Sequence, residues 1–387
     1  MLRAYKYRLY PTKKQVQALQ GTLDLCRELY NAAVQERRDA WRMCGKSITY
    51  YEQVSQLPEI KQIREEFQGI YGQVLQHVLR RVDRSFQAFF RRCKTGKKAG
   101  FPRFKGKGRY DSFTYPQVGK VQGNRILFPS IGSIKVKWHR PIEGTIKTCA
   151  IKREDDQWYV IFSCEAELEP LPVSPMDVGV DLGVTHFAAL SDGTIIDHPR
   201  YYRKAQKKLE RLQQALSRKK RSSHRRDRAR KLVSKAHKKI RNQRRDFLHK
   251  QSRKLVNQYQ TIVFEELQTA DMTKCPKPKQ DEATGRYLPN GAGAKAGLNK
   301  SILDAGWGMF QQMCIVKAVS AGRSVLFVNP YKTSQLCSNP HCGKEVPKPL
   351  EERWHLCPYC GLSLDRDVNA AINILRLGRS QRSSNTL

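Results

Sequence analysis

This sequence has little negative charge to set against its positive charge. Among 387 residues, 35 Asp and Glu stand against 72 Lys and Arg, a formal net charge of +37. An imbalance of that size calls for a polyanionic partner that carries many phosphates. A membrane surface is the competing polyanion, yet no apolar run reaches the ~18 residues needed to span a bilayer. No basic segment leading into a short apolar stretch opens the chain, so no secretory leader is read and a cytoplasmic location is expected. A disulfide framework is also missing. The eleven Cys are an odd number spread along a long chain, with only four clustered. That usage fits a reducing compartment and a single metal site.

The length itself allows two or three domains with a sizeable core. Met1 to Tyr10 alternates basic with aromatic or apolar side chains and reads as a strand closed by Pro11. Thr12 then has the position of an N-cap, and helical periodicity runs to about residue 43, from about 50 to 66, and from 72 to 92. The apolar stripes, such as Val74, Val78, Val82 and Phe86, are read as core. Arg91 to Arg109 interleaves cations with Phe101 and Phe104, a composition that suits phosphate contact with base stacking and makes Arg103 and Lys105 candidates. Residues 112–170 turn β-like, with a hairpin at Glu154-Asp155-Asp156-Gln157. Together with the first strand they are expected to close a small barrel interrupted by the helices. Pro170 to Pro175 reads as a linker.

Positive charge is concentrated in residues 201–256, where 23 Lys and Arg face three acids. Sparse leucines give this stretch helical spacing, with a break near Ser222-Ser223. It reads as two long helices lining a nucleic-acid channel, with Arg225, Arg226 and Arg244 as candidate contacts of the salt-dependent, sequence-independent kind. Residues 271–300 are rich in Pro, Gly and Lys and read as a mobile loop. A helix is expected from about Asn299 to Gly322, anchored in part by Leu303, then a buried strand over Ser324–Val328. Arg379 to Leu387 reads as a disordered tail.

Three acids occupy unusual positions. Asp181 lies inside the apolar run Val178-Gly179-Val180-Asp181-Leu182-Gly183. A second apolar run, Ile262-Val263-Phe264, ends in Glu265-Glu266. Asp365-Arg366-Asp367 opens a helical pattern near the C-terminus. A carboxylate taken into an apolar strand costs several kcal/mol unless it is paired, metal-bound or protonated. A strand Asp, a strand-end Glu and a helix-start Asp together make a site for a divalent metal such as Mg²⁺, which prefers oxygen ligands. Residue type leaves Glu265 against Glu266 and Asp365 against Asp367 open, because an Asp at a helix start is also an N-cap.

Cys337 and Cys342, then Cys357 and Cys360, form C-x4-C and C-x2-C pairs separated by fourteen residues. This is zinc-ribbon spacing, with four thiolates available for a closed, structural Zn²⁺ site. His341 is the alternative to Cys342.

Taken together, Tyr5-Lys6-Tyr7-Arg8-Leu9-Tyr10-Pro11-Thr12, Cys26-Arg27-Glu28-Leu29-Tyr30-Asn31-Ala32, Gly100-Phe101-Pro102-Arg103-Phe104-Lys105, Val180-Asp181-Leu182-Gly183, Thr333-Ser334-Gln335 and Asp365-Arg366-Asp367-Val368-Asn369-Ala370-Ala371 resemble TnpB. This is a transposon-encoded family related to the type V CRISPR effectors. The resemblance covers nearly the whole chain. It implies a multidomain α/β protein: an RNase H-like RuvC nuclease domain with an inserted zinc ribbon, plus an N-terminal β-barrel (wedge) interrupted by a helical recognition domain. The implied boundaries are 1–12 and 101–172 for the wedge and 13–100 for the helical domain. The nuclease domain takes 173–332, with a basic hairpin at 200–257, and its C-terminal helix is 363–378. The ribbon takes 333–362. The implied activity is RNA-guided cleavage of DNA beside a short flanking motif. One chain would act with one guide RNA from the transposon end, on double- and single-stranded DNA, at the prokaryotic nucleoid. Asp181, Glu265 and Asp367 would be catalytic and hold two Mg²⁺ ions roughly 4 Å apart. Gln73 and Gln76 would read the motif, because Gln can bond adenine edges bidentately. A nuclease-silent RNA-guided regulator and a guide-independent structure-specific endonuclease are the alternative readings.

Overall fold

Alternation in the first strand decides how the N-terminal half packs. In the computed structural model, which describes residues 1–117, 121–167, 169–349 and 351–384, strand β1 (Leu2–Tyr10) buries Tyr5, Tyr7 and Leu9. Thr12 caps helix α1 (Lys13–Cys44) through a reciprocal pair with Gln15, and Gly45 ends it in the left-handed conformation. Val16 lies outside the buried stripe, which begins at Leu19. Helices α2 (Tyr50–Ser55) and α3 (Leu57–Ile63) are short, and a 3₁₀ turn follows at Glu65–Phe67. Helix α4 (Gly72–Lys94) buries Val74, Val78, Val82 and Phe86 as its spacing predicts.

Six further strands follow: β2 (Ser112–Tyr115), β3 (Val121–Gln122), β4 (Arg125–Phe128), β5 (Gly132–Lys137), β6 (Thr145–Glu154) and β7 (Gln157–Glu165). With β1 they form one antiparallel sheet in the order β2-β6-β7-β1-β5-β4-β3. The expected barrel is a half-barrel. Among the described residues its edge strands β2 and β3 do not pair, and β3 is only two residues long, too short to supply a closing ladder. The hairpin turns at Asp155, whose φ is +57°. All of this lies in the first of two compact units, Met1–Glu167.

The second unit, Leu168–Leu387, is built on a five-stranded sheet. Strands β8 (Asp177–Asp181), β9 (His186–Leu190) and β10 (Ile195–Asp197) meander. The chain then leaves the sheet through α5 (Tyr201–Ser217) and α6 (His224–Gln258), which are separated by a turn with Ser222 at φ +66°. It returns as β11 (Thr261–Glu265). A one-turn helix α7 (Thr269–Met272), the small ribbon β12 (Lys279–Gln280) and β13 (Tyr287–Leu288), and α8 (Ala292–Ala305) occupy the stretch expected to be a loop. Helix α9 (Trp307–Ala321) and strand β14 (Ser324–Val328) follow. The single helix expected over 299–322 is thus two, broken at Gly306. That residue is left-handed (φ +72°), and a Cβ there would lie 3.3 Å from the Arg244 side chain. Leu303, expected as an anchor, is 63% exposed.

The sheet order is β10-β9-β8-β11-β14, with β8, β11 and β14 parallel. β14 is an edge strand with only Val328 fully buried, so the expected buried strand is half-covered. Strands β15 (Trp354–Leu356) and β16 (Ser363–Asp365) form a separate hairpin, and helix α10 (Arg366–Ser384) completes the described chain. Helix α10 continues past Arg379 to Ser384 because it stays docked: Arg382 donates to Thr261 Oγ1 at 3.3 Å, and Arg379 lies 3.7 Å from Asp177. The disordered tail expected from 379 is therefore helical to 384, and its remainder, 385–387, lies outside the described residues.

Both faces of this sheet are covered. Val180, Ile262 and Phe264 pack with Leu248 and Leu255 of α6 and Phe310 of α9. Val263 and Val328 pack with Ile374 of α10 on the opposite face. Two glycines let α10 lie against the strands: a Cβ on Gly179 would fall 2.0 Å from the Ala371 carbonyl, and one on Gly378 would fall 2.6 Å from Val263.

Candidate functional site: an acidic cluster beside a four-cysteine ribbon

Strand register brings the first two acids together. β8 and β11 run parallel with Val180 opposite Phe264, so Asp181 and Glu265 occupy equivalent places at the two C-terminal ends. Neighbouring strands lie about 4.8 Å apart. Side chains alternate, so with Val180 and Phe264 facing α6 and α9, Asp181 and Glu265 turn toward α10. Asp367 sits in the first turn of α10, and a Cβ on Gly183 would come within 3.9 Å of its Oδ2.

Electrostatics reports the same grouping. Burial, then the charges of Glu265 and Asp367, hold the Asp181 carboxyl well above its usual range. Burial raises Glu265, and the Thr333 hydroxyl, which donates to Glu265 Oε1, pulls it partly back. Asp367 is raised by burial and by Asp365, against the opposing charges of Arg353, His186 and Arg366. His186 itself pairs with Asp197 at 3.2 Å. No Lys or Arg among the described residues ion-pairs with Asp181 or Glu265. Arg353 reaches Asp367 only at 4.0 Å.

The two open choices in the sequence separate here. Glu266 is exposed, whereas Glu265 is half-buried in the cluster. Asp365 Oδ1 accepts the backbone N–H groups of Asp367 (2.8 Å) and Val368 (3.2 Å), so Asp365 is the N-cap and Asp367 remains available.

The four cysteines form a second, tighter cluster. Cys337 Sγ lies 3.6 Å from Cys360 Sγ and Cys342 Sγ 3.7 Å from Cys357 Sγ, with all four sulfurs within 4.8 Å of one another. A tetrahedron with Zn–S bonds of ~2.3 Å requires S···S separations of about 3.8 Å. The cluster therefore fits structural Zn²⁺. His341 is exposed beside it, and Cys342 supplies the ligand atom. Burial pushes the Cys337 thiol up to about 12. At Cys357 burial also acts upward, but the N–H groups of Tyr359 and Cys360, with the Cys360 and Cys337 side chains, together outweigh it and bring the thiol to about 7.

The candidate nucleic-acid contacts divide by environment. Arg103 and Arg225 are exposed, as is Gln76. Gln73 is half-buried, with Oε1 lacking a hydrogen-bond partner. Lys105 is clamped by its backbone to the Asn31 side chain (2.7 and 3.0 Å) while its ammonium lies 5.6 Å from the Tyr30 ring centre. The other two candidates, Arg226 and Arg244, make internal bonds. Arg226 donates to the carbonyls of Leu216 (3.1 Å) and Lys219 (2.8 Å), closing the turn between α5 and α6. Arg244 pairs at 2.7 Å with buried Asp304, which also accepts the Tyr202 N–H. A charge count along the sequence cannot separate such cations from solvated ones. Thr333 carried no chemical signal of its own.

Three family models match: a probable transposase family, OrfB of IS605, over residues 154–275; a Cas12f1-like TNB domain over 307–374; and a helix-turn-helix domain over 1–46. In the last segment the structure holds one strand and one long helix. A protein of Escherichia coli (strain K12), "Putative RNA-guided DNA endonuclease InsQ", is 34% identical over 98% of this chain and 93% of its own length. A "Putative RNA-guided DNA endonuclease" of Streptomyces pristinaespiralis is 32% identical over 97% and 89%. Among solved structures, a Cas12f1–sgRNA–target DNA complex aligns over 97% of this chain and 99% of the other at 16% identity, with a TM-score of 0.34. CasPhi-2 (Cas12j) bound to crRNA aligns over 98% of each at 11% identity, with a TM-score of 0.40. No helix among the described residues is long and apolar enough to cross a membrane.

Proposed function

Because the chain belongs to the TnpB/OrfB_IS605 family, we propose that it is an RNA-guided DNA endonuclease whose cutting site is Asp181, Glu265 and Asp367. One observation carries the reading: the register that sets Asp181 beside Glu265 on the face where α10 presents Asp367. The three would hold divalent metal. Their all-oxygen donor set suits Mg²⁺; burial raises all three carboxyls, and acidic neighbours add to it at Asp181 and Asp367, a charge that a cation would offset. Metal held by these three carboxylates would supply a lowered pKa for the attacking water and charge stabilisation at the leaving oxygen. The protein's own work is to keep the carboxylates in place and to hold the phosphate chain.

Residues 173–332 and 363–378 are assigned to an RNase H-like RuvC domain, in keeping with the sheet order β10-β9-β8-β11-β14. Residues 333–362 are the zinc ribbon, 1–12 with 101–172 the wedge, and 13–100 the helical recognition domain. The guide RNA pairs with target DNA, and the net charge of +37 serves the backbone of that heteroduplex. Gln73, Gln76, Arg103, Lys105, Arg225, Arg226 and Arg244 remain candidates for contact with nucleic acid. The test uses the complex purified with its own RNA on a duplex matching that RNA. Asp181→Ala should abolish cutting while RNA retention is unchanged. Cutting at the wild-type rate would remove Asp181 from the site, and recovery of no discrete RNA would remove the guide.

A further inference from the structure

Glu265 is aimed by a side chain outside the acidic trio, and that side chain is held by the root of the cysteine ribbon. Thr333 is 3% exposed, and its hydroxyl donates to Glu265 Oε1. The same hydroxyl also lies 3.3 Å from the Pro330 carbonyl. A hydroxyl bonded to a carboxylate makes a charge-assisted contact that fixes the rotation of the carboxylate plane. Among the described residues the end of β11 is otherwise held through its backbone: Gln311 Nε2 and the Leu267 N–H donate to the Glu265 carbonyl at 3.3 and 3.0 Å, and the Glu266 N–H donates to the Val328 carbonyl at 2.9 Å.

The main chain around Thr333 is latched in turn. Asn373 Nδ2 donates to the Thr333 carbonyl (2.9 Å) and to the Leu336 carbonyl (2.7 Å). Asn369 Nδ2 donates to the same Leu336 carbonyl (2.8 Å), and Asn369 Oδ1 accepts the Ser338 N–H (2.9 Å). These bonds bracket Cys337, the first thiol of the ribbon. Asn369 and Asn373 are essentially fully buried and stand one turn apart on α10, the helix whose first turn carries Asp367. The two amide nitrogens hold one geometry, because any other arrangement leaves the Thr333 and Leu336 carbonyls without these donors, although Asn373 Oδ1 itself has no partner. Thr333 and Glu265 are therefore tied by hydrogen bonds to α10, with Cys337 between the latched Leu336 and Ser338 and Asp367 two residues before Asn369.

We propose that Thr333 is a positioning residue that orients Glu265 for metal, and that the ribbon root, latched to α10 by Asn369 and Asn373, holds Thr333 in place. The proposal rests on the reading of Asp181, Glu265 and Asp367 as the metal-binding site. It gives the cysteine ribbon a task beyond its own fold: keeping one carboxylate of a neighbouring site at a fixed rotation. Thr333→Val keeps the shape and removes the donor, whereas Thr333→Ser keeps the donor.

The readout is Mn²⁺ binding by the full-length complex, followed by electron paramagnetic resonance, with the Asp181→Ala complex as the blank for ions held by the RNA. Loss of an outer hydrogen-bond partner weakens metal sites by about 10–100-fold. T333V should weaken Mn²⁺ binding by that factor with zinc content unchanged, and T333S should restore it. Cleavage by T333V should require more Mg²⁺ for half-saturation and recover toward the wild-type rate at saturating Mg²⁺. Wild-type Mn²⁺ affinity in T333V overturns the proposal. So does a T333S variant as weak as T333V, or loss of zinc together with Mn²⁺, since each would assign Thr333 a packing role. If T333V does not fold, T333A takes its place in the same titration: weakened Mn²⁺ binding with zinc retained supports the proposal, and wild-type affinity overturns it. An Asp181→Ala complex that still cuts sinks the underlying site reading, whereas an inactive one beside an unaffected T333V sinks only the positioning role.

Discussion

The four thiols fit zinc and the three carboxyls are the proposed magnesium site, and the protein treats the two sets oppositely. The sulfurs already stand at 3.6 and 3.7 Å in two pairs, close to the separation a tetrahedral zinc would impose. The carboxyls do not converge in that way: among the described residues only the cysteines have all their ligand atoms within 4.8 Å. Neutral thiols can crowd with little repulsion, whereas carboxylates brought together in a half-buried site repel and take up protons instead. A closed thiolate set suits structure, because no coordination position is left over. A looser oxygen set leaves room for water and phosphate, as chemistry requires.

The largest effect that could break this contrast is loss of zinc. Cys357→Ser should lower bound zinc, measured by atomic emission, and should open residues 333–365 to limited proteolysis. Structural zinc sites supply on the order of 10 kcal/mol of folding free energy. Wild-type zinc content in the variant would show that the thiols are not a site. Next in size is Asp181→Ala, expected to reduce cleavage by at least about 10³-fold, roughly 4 kcal/mol in transition-state terms, with zinc content and thermal midpoint not reduced. A fall in both would make the acid structural too.

Gly179→Ala should cost about 1–3 kcal/mol or more, read by denaturant unfolding, because the added methyl meets the Ala371 backbone of α10. A neutral result would mean that α10 does not bear on β8 as closely as the structure has it. The smallest effect is the most diagnostic. Asp181 has its pKa raised in the folded, metal-free protein, so its stability contribution is present at low pH and is lost as pH rises through that pKa. Asp181→Asn should therefore raise the metal-free thermal midpoint at pH 8, by roughly 2–4 °C for each kcal/mol relieved. The gain should shrink toward pH 4 and reverse when Mg²⁺ is added. A midpoint that falls at pH 8 without metal would refute the repulsion argument.

The two sites also differ in how far they can be read from sequence. The cysteines lie within one short segment, so spacing alone identifies them. The acids come from distant parts of the chain, and each has an ordinary explanation taken singly. For Asp365 that explanation holds: it is the N-cap. Asp367, two residues on, looks the same in sequence and faces the cluster only because of where α10 starts. The helix–strand alternation, the hairpin at Asp155 and the basic helical pair follow periodicity and turn chemistry. The open half-barrel, the break at Gly306 and the helical 379–384 segment depend on partners remote in sequence. Arg226 and Arg244 look like free cations in a charged run, but their acceptors belong to another helix or to the turn between helices.

Composition, periodicity and thiol spacing by themselves determined a basic, multidomain α/β chain with a four-cysteine clip and three misplaced acids, because each is a property of adjacent residues. Tertiary structure alone decided which acids meet, through the parallel register of β8 and β11 and the close approach of α10 over Gly179. It also decided that a threonine at the ribbon root touches one of them. Electrostatic repulsion, burial and hydrogen-bond satisfaction depend on neighbours in space, and only folding supplies those.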